Sequence, residues 1–306
     1  MNNALHILAL NYNNGRYVNE FLTSLKSQCL INCVVTIVDD ASTDGSAQDI
    51  ISFVHEHALD WNVVINSQNE GINATIYHNL DTRYAFTKII ATDDIFAADA
   101  VTKYSKHLHN SRADILYSDG LIIDQKSQKI GEYNSVPAWF FNSGFFFQLS
   151  LYNNFLPSPT VVVKTSLMMT ALETYSHIKN MEDWPLLVHS LRQRSRYIKL
   201  DSRLILYRRH AQSLAVATSP GGIGNNGMDR MAFDISKVLD QNVKSASMRT
   251  KLIGIYPRVF ELKNGKNSRF VGSIKYFAIE SLFLKILMYI STGSARFVKL
   301  KGDFYD

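Results

Sequence analysis

Cysteine is nearly missing: Cys29 and Cys33 are the only two in 306 residues. Their spacing is one helical turn, not the C-x-x-C of a redox or zinc site. Two free thiols exclude a disulfide framework and fit a reducing compartment. As small, soft side chains they read as packing residues near a helix–strand junction. Long apolar runs are missing too. No window reaches ~18 uninterrupted apolar residues, so no membrane-spanning helix is expected. Strand-like sequence begins by His6–Leu10, which leaves no room for a secretory leader. Charge of one sign is scarce. A net charge of +5 at pH 7 does not by itself argue for nucleic acid, and no nucleic-acid partner is expected. It suits a protein that meets anionic ligands or an anionic membrane surface. Internal repeats and low-complexity tracts are absent. What remains is a cytoplasmic protein, soluble or peripheral on the inner face of a membrane. Its 46 % hydrophobic residues are enough to build the core of one large domain or one and a half.

The first third alternates short apolar runs with amphipathic segments. His6–Leu10, Val34–Val38, Trp61–Ile65 and Lys88–Ala91 read as strands. Between them Tyr17–Gln28, Ser46–His57 and Asn73–Ala85 read as helices, and Ala98–His109 follows as another. That alternation predicts a mostly parallel sheet flanked by helices. Further along, Ile115–Ser118, Leu121–Asp124 and Thr160–Val163 read as strands. Met181–Leu191 reads as a helix opened by Glu182 and Asp183, and Tyr197–Tyr207 holds at least one strand. Ser219–Asn226, with three glycines and a proline, reads as a flexible loop. From Met228 the chain reads as helix.

In sheets of this kind ligands bind beyond the carboxyl ends of the strands. Three polar clusters follow predicted strands: Asn11-Tyr12-Asn13-Asn14, Asp39 through Ser46, and Thr92-Asp93-Asp94. All three are expected at one rim. Asp39 and Asp40 are neighbours on opposite strand faces, so one of them at most faces a ligand. Asp44-Gly45-Ser46 reads as a turn capping the next helix. Tyr12 is either a strand-end ring closing the core or a flat ring offered at the rim.

Four segments, in this order, make the chain resemble the family 2 glycosyltransferases, which have the GT-A fold and act with inversion. They are Ile7–Asn13, Val38–Ser46 (Val-Asp-Asp-Ala-Ser-Thr-Asp-Gly-Ser), Ile90–Asp94 (Ile-Ala-Thr-Asp-Asp) and Met181-Glu182-Asp183-Trp184. The likeness covers about residues 5–215, and the second segment is the specific one. It implies an α/β GT-A domain over 1–218, with a nucleotide-sugar half about 1–110 and an acceptor half about 111–218. A loop and a helical, basic region fill 219–306.

The same likeness implies the site. Asn11, Tyr12, Asn13, Asp40, Asn69, Gly71, Thr92, Asp93 and Arg209 are the expected nucleotide contacts, with Tyr12 against the base and Asp40 on base or ribose. Asp93 is the expected ligand of a divalent metal, Mn²⁺ or Mg²⁺, which bridges the leaving phosphates. Here the sequence departs from the family, since Ala91 replaces the first aspartate of the Asp-x-Asp. Tyr207-Arg208-Arg209-His210 resembles the family's Tyr-Arg-x-His segment. His210 is then a further metal ligand and a guanidinium faces the phosphates. Asp183 is the expected general base, kept ionised by the helix N-terminus. Glu182 and Trp184 are the expected acceptor contacts.

The activity implied is transfer of a sugar from a nucleoside diphosphate, a UDP-sugar first, to a hydroxyl of a saccharide acceptor. The family setting is surface-polysaccharide assembly (O-antigen or capsule), with a polyprenyl-diphosphate-linked acceptor. Residues 263–301 are basic and apolar. They either pack on the first domain or touch the inner membrane surface. The aromatics of 139–147 read as core first and acceptor lining second. The rival from another class is a non-catalytic sugar-nucleotide-binding or scaffold protein of the same fold, favoured by Ala91.

Overall fold

The computed structural model describes residues 5–110, 112–143, 147–151, 154–210 and 225–242. The basic stretch 263–301, the loop at 219–224, and Phe145 and Phe146 lie outside the described residues.

The chain opens with β1 (Leu5–Asn11), α1 (Val18–Lys26), β2 (Cys33–Asp39), α2 (Ser46–Glu56), β3 (Asn62–Ile65), α3 (Ile72–Asn79) and β4 (Phe86–Ala91). These four strands pair in parallel in the order β3-β2-β1-β4. β1 alternates its burial between two cores. Ile7 and Ala9 pack with Val18, Phe21, Leu22 and Leu25 of α1 on one face, while Leu8 packs with Val38 and Ile76 on the other. Strands buried on both faces are what continuous apolar runs encode.

The rest adds β5 (Ile95–Phe96), α4 (Ala100–Asn110), β6 (Ile115–Ile123), β7 (Lys129–Tyr133), α5 (Ala138–Asn142) and α6 (Phe147–Ser150). A 3₁₀ turn at Ser158–Thr160 leads to β8 (Val162–Lys164) and α7 (Thr165–Thr174). Then come α8 (Asp183–Arg192), β9 (Tyr197–Arg208) and α9 (Asn225–Asn242). Beyond β4 the sheet continues β8-β6-β9-β5, and β7 pairs antiparallel with β6. β8 is antiparallel to both its neighbours, whereas β6 and β9 run parallel.

Several expectations change. The two strands expected around Ser118 and Leu121 are one, because the β6–β9 ladder absorbs its irregularity as register shifts at Ser118–Gly120 instead of breaking. The helix expected to reach Ala85 stops at Asn79. Leu80 is extended, and the Asp81 carboxylate accepts the Arg83 N–H at 2.9 Å, which makes a local turn. β5, β7 and α7 were not expected. α9 begins at Asn225 and buries Val238 and Leu239 in the cluster that holds α7 and α8. A division at residue 218 therefore falls before a helix that packs into the preceding unit. Phe140 and Phe141 are core, whereas Trp139 is 50 % exposed.

Candidate active site

The rim is organised by a side chain that faces away from solvent. Asn11 ends β1 at 1 % exposure. Its Nδ2 donates to Asp39 Oδ1 (2.5 Å), Ser46 Oγ (2.7 Å) and Ser42 Oγ (3.2 Å), and its Oδ1 accepts from Thr92 Oγ1 (2.6 Å). Thr92, fully buried, also accepts from Asn14 Nδ2 at 3.1 Å. One amide thus ties the ends of β1, β2 and β4 together. This corrects the expectation for Asn11 and Thr92. Their polar groups are committed to the loops, since a buried polar group left unpaired is costly. Asn13, with φ 53°, joins the same web by accepting the Thr43 N–H at 2.8 Å. Asp44 lies one residue before Gly45, the N-cap of α2, and accepts the Ser46 N–H at 3.0 Å and the Gly15 N–H at 2.7 Å.

Asp39 is folded into the same loop, its Oδ2 accepting the Ser42 N–H at 2.9 Å. Asp40 faces the other way. Its Oδ1 accepts from Asn66 Nδ2 (2.8 Å) and Glu70 N (2.9 Å), and its Oδ2 accepts from Gly71 N (3.0 Å). Three of roughly four lone-pair positions of a carboxylate are filled, so one acceptor position on Oδ2 remains. Gly71 has φ +82°, which glycine adopts without strain. Asn69 is exposed beside it. Tyr12 is 51 % exposed at the rim, so it is an offered ring and not a core closure.

The end of β9 meets the turn after β4. His210 Nε2 lies 3.0 Å from Asp93 Oδ2. Arg208 is fully buried. Its Nε donates to the Asp93 carbonyl (2.8 Å), its Nη1 to the Asp124 carbonyl (3.0 Å) and Ser127 Oγ (2.9 Å), and its Nη2 to Glu20 Oε2 (2.8 Å). Its guanidinium lies 4.6 Å from the centre of the Tyr17 ring, which packs on His210 at 4.7 Å. Asp94 is 3 % exposed and accepts the Arg208 N–H at 2.9 Å; burial, then the charge of Asp93, raises its carboxyl well above the usual range. Arg208, the last residue of β9, and His210, two residues beyond it, both hold Asp93, while the charge of Arg209 reaches the hydroxyls of Tyr133 and Tyr207. The wall role of Arg208 was missed. Its only sequence signal is the pair of adjacent arginines, of which one must face away.

Asp93 and His210 form a carboxylate–imidazole donor set that a divalent ion such as Mn²⁺ accepts. Among the described residues no group of three or more His, Cys, Asp or Glu is placed to hold a metal ion by itself. An ion held by this pair would take its other ligands from phosphate and water, as ions at phosphate-transfer sites do.

The second half of the site is the start of α8. Glu182 and Asp183 line a small cleft with Ile89, Leu156, Ser158 and Met168. Asp183 Oδ1 accepts the Trp184 N–H and its Oδ2 accepts from Asn154 Nδ2, both at 2.7 Å. The N-terminal N–H lowers its carboxyl, but burial outweighs this and the net shift is upward. The helix start thus favours the ionised form while burial opposes it. Glu182 accepts from Ser158 Oγ at 3.1 Å, and burial, with the Asp183 charge beside it, pushes it up to about 7. Two close carboxylates whose titrations are pushed upward suit proton transfer. Trp184 is not an acceptor contact: it is 4 % exposed in the core, and its indole N–H donates to the Ser150 carbonyl at 2.5 Å. Lys88, unexpected here, is fully buried between the two halves. Its Nζ donates to the carbonyls of Pro159 (2.6 Å) and Ile89 (2.8 Å), and burial lowers it to about 7.

The sequence model described as Glycosyl transferase family 2 matches residues 7–171, more than half of the 306 residues. The chain belongs to glycosyl transferase family 2. No curated protein matches it by sequence. In shape it is similar to S. aureus TarS 1–349 in complex with UDP-GlcNAc. That TM-score is 0.55 at 16 % identity, over 87 % of this chain and 76 % of that one. Against a longer TarS structure the values are 0.54 and 16 %, over 88 % of this chain and 45 % of that one. The chain therefore spans less than half the length of that relative. A mannosyltransferase, PcManGT from Pyrobaculum calidifontis, in complex with GDP-Man and Mn²⁺, gives 0.50 at 13 % identity, over 91 % and 79 % of the two chains. At such identities the likeness establishes the fold, GT-A. The family match contains the β1, Asp39–Ser46 and Asp93 segments. The carboxylate pair and His210 lie beyond it.

Proposed function

We propose that this family 2 enzyme moves a sugar from a UDP-sugar to a hydroxyl of a saccharide acceptor with inversion and with help from a divalent metal. The observation that carries the reading is the pairing of two unlike polar centres on one sheet. One is the Asp93–His210 pair at the end of β4. The other is the half-buried Glu182–Asp183 pair at the head of α8. Tyr12 stacks on the base, Asp40 accepts from its imide, and Asn69 and Gly71 border the pocket. Arg209 neutralises phosphate charge. Asp183 takes the proton of the acceptor hydroxyl as its oxygen bonds to the anomeric carbon and the anomeric carbon–oxygen bond to the diphosphate breaks. Glu182 holds the acceptor. When bound, the divalent cation neutralises charge on the leaving diphosphate.

We take the acceptor to be lipid-linked and the setting to be surface-polysaccharide assembly at the inner face of a membrane. No helix among the described residues is long and apolar enough to cross a membrane. The test is a thermal-shift and calorimetry screen of UDP, GDP and their sugars, with and without Mn²⁺. UDP should stabilise the protein more with Mn²⁺ than without, and Asp93→Ala should remove the difference. A metal response unchanged in Asp93→Ala would refute the assignment.

A further inference from the structure

The turn that delivers Glu182 and Asp183 is held from two directions by residues distant in sequence. From α3, Asn73 Nδ2 donates to the carbonyls of Ile178 (2.9 Å) and Met181 (3.1 Å). From α9, Asp234 Oδ2 accepts from Asn180 N (2.9 Å), Asn180 Nδ2 (2.9 Å) and Lys179 N (3.3 Å). Asn73 is 7 % exposed and Asp234 is 1 % exposed. A carboxylate so deeply buried persists only when donors fill its lone pairs, and Asp234 draws three from this one turn. Four of these five bonds fall on main-chain groups of the turn and the fifth on the Asn180 side chain, so its position is set largely by its two holders.

We propose that Asn73 and Asp234 are positioning residues for Asp183, and that α9 belongs to the catalytic unit. The proposal rests on the reading of Asp183 as the base. Only Glu182 separates the gripped Met181 carbonyl from Asp183. A shift of about 1 Å at a reacting group is enough to cost a large factor in rate. Asn73 also lies two residues beyond Gly71, whose N–H is held by Asp40. The first turn of α3 thus joins the nucleotide loop to the base-bearing turn.

The test compares Asn73→Ala, Asp234→Ala and the near-isosteric Asp234→Asn with Asn242→Ala. Asn242 anchors α9 through the Tyr175 hydroxyl (2.9 and 3.1 Å) without touching the turn. Two readouts are used: UDP release from UDP-GlcNAc, and a ¹³C-carboxyl NMR titration of Glu182, which needs no substrate. In the Asn73 and Asp234 variants UDP affinity should stay within about twofold of wild type. The Glu182 titration should fall from about 7 toward the ordinary carboxylate range as the turn loosens, and any UDP release should drop at least about tenfold. Asn242→Ala should lower the melting temperature and move neither. Should Asp234→Ala not fold, Asp234→Asn should show the same changes in smaller measure. A wild-type Glu182 titration in folded Asp234→Asn and Asn73→Ala, or an equal shift in Asn242→Ala, would overturn the proposal. An active Asp183→Asn would overturn the base assignment instead, so the two failures are distinguishable.

Discussion

Replacing Asp183 by asparagine separates chemistry from architecture at one atom. The carboxylate accepts two hydrogen bonds, from Trp184 N and Asn154 Nδ2. An asparagine can accept one of them and must turn its NH₂ toward the other donor. Asn154 cannot rotate its amide without loss, because its Oδ1 accepts the Leu156 N–H at 3.0 Å. The variant therefore forfeits about one hydrogen bond, worth roughly 0.5–1.5 kcal/mol. Against that, it no longer holds a charge in a site where burial already raises the carboxyl. The two effects oppose each other, so stability should change by about 1 kcal/mol or less, a melting shift of about 2–4 °C. Transfer is another matter. Loss of a positioned base costs roughly 10²–10⁴-fold, and UDP affinity should stay nearly unchanged, because base and nucleotide flank opposite ends of the reacting sugar. The assay is product formation at saturating donor beside a melting curve. A stable variant with full activity would show that Asp183 only caps α8.

Two further outcomes are expected. Asp40→Asn should weaken UDP binding by about 1–3 kcal/mol and also lower the melting temperature, since its carboxylate holds the loop at Asn66, Glu70 and Gly71; calorimetry showing a melting loss with unchanged UDP affinity would leave Asp40 a loop holder. Glu182, raised in the fold from 4.5 to about 7, binds more protons folded than unfolded between those values. The melting temperature should therefore fall as pH rises through that window, and Glu182→Gln should flatten the fall; an identical slope in both proteins would place the titration elsewhere.

The sequence made the parallel half of the sheet legible because β1, β2 and β4 are apolar runs set between amphipathic helices. The rim clusters were legible for the same local reason. Each follows a strand, and the Asp39–Ser46 segment closes on itself through bonds only a few residues long. What was not legible is long-range. Whether Asn11 faces a ligand or a hub depends on Asp39, Ser46 and Thr92 together. Whether Trp184 meets an acceptor or the core depends on Ser150. The grips of Asn73 and Asp234 fall mostly on main-chain atoms 54 to 108 residues away, and no residue type signals those. β5, at two residues, is too short for any periodicity to show.

The uneven ladder between β6 and β9 has a bearing on chain length. From Ser118↔Leu200 to Ile123↔Arg208, β9 advances eight residues while β6 advances five. The excess is odd, and along a strand parity decides the face. Deleting one residue near Asp201 or Ser202 would exchange the faces of the two arginines. Arg209 would enter the wall beside Glu20, and Arg208 would turn toward Tyr133. No point substitution rearranges so much. In a library that mixes insertions and deletions, survivors between Leu200 and Arg208 should change length by even numbers, whereas the exposed turn at Lys126 should accept either.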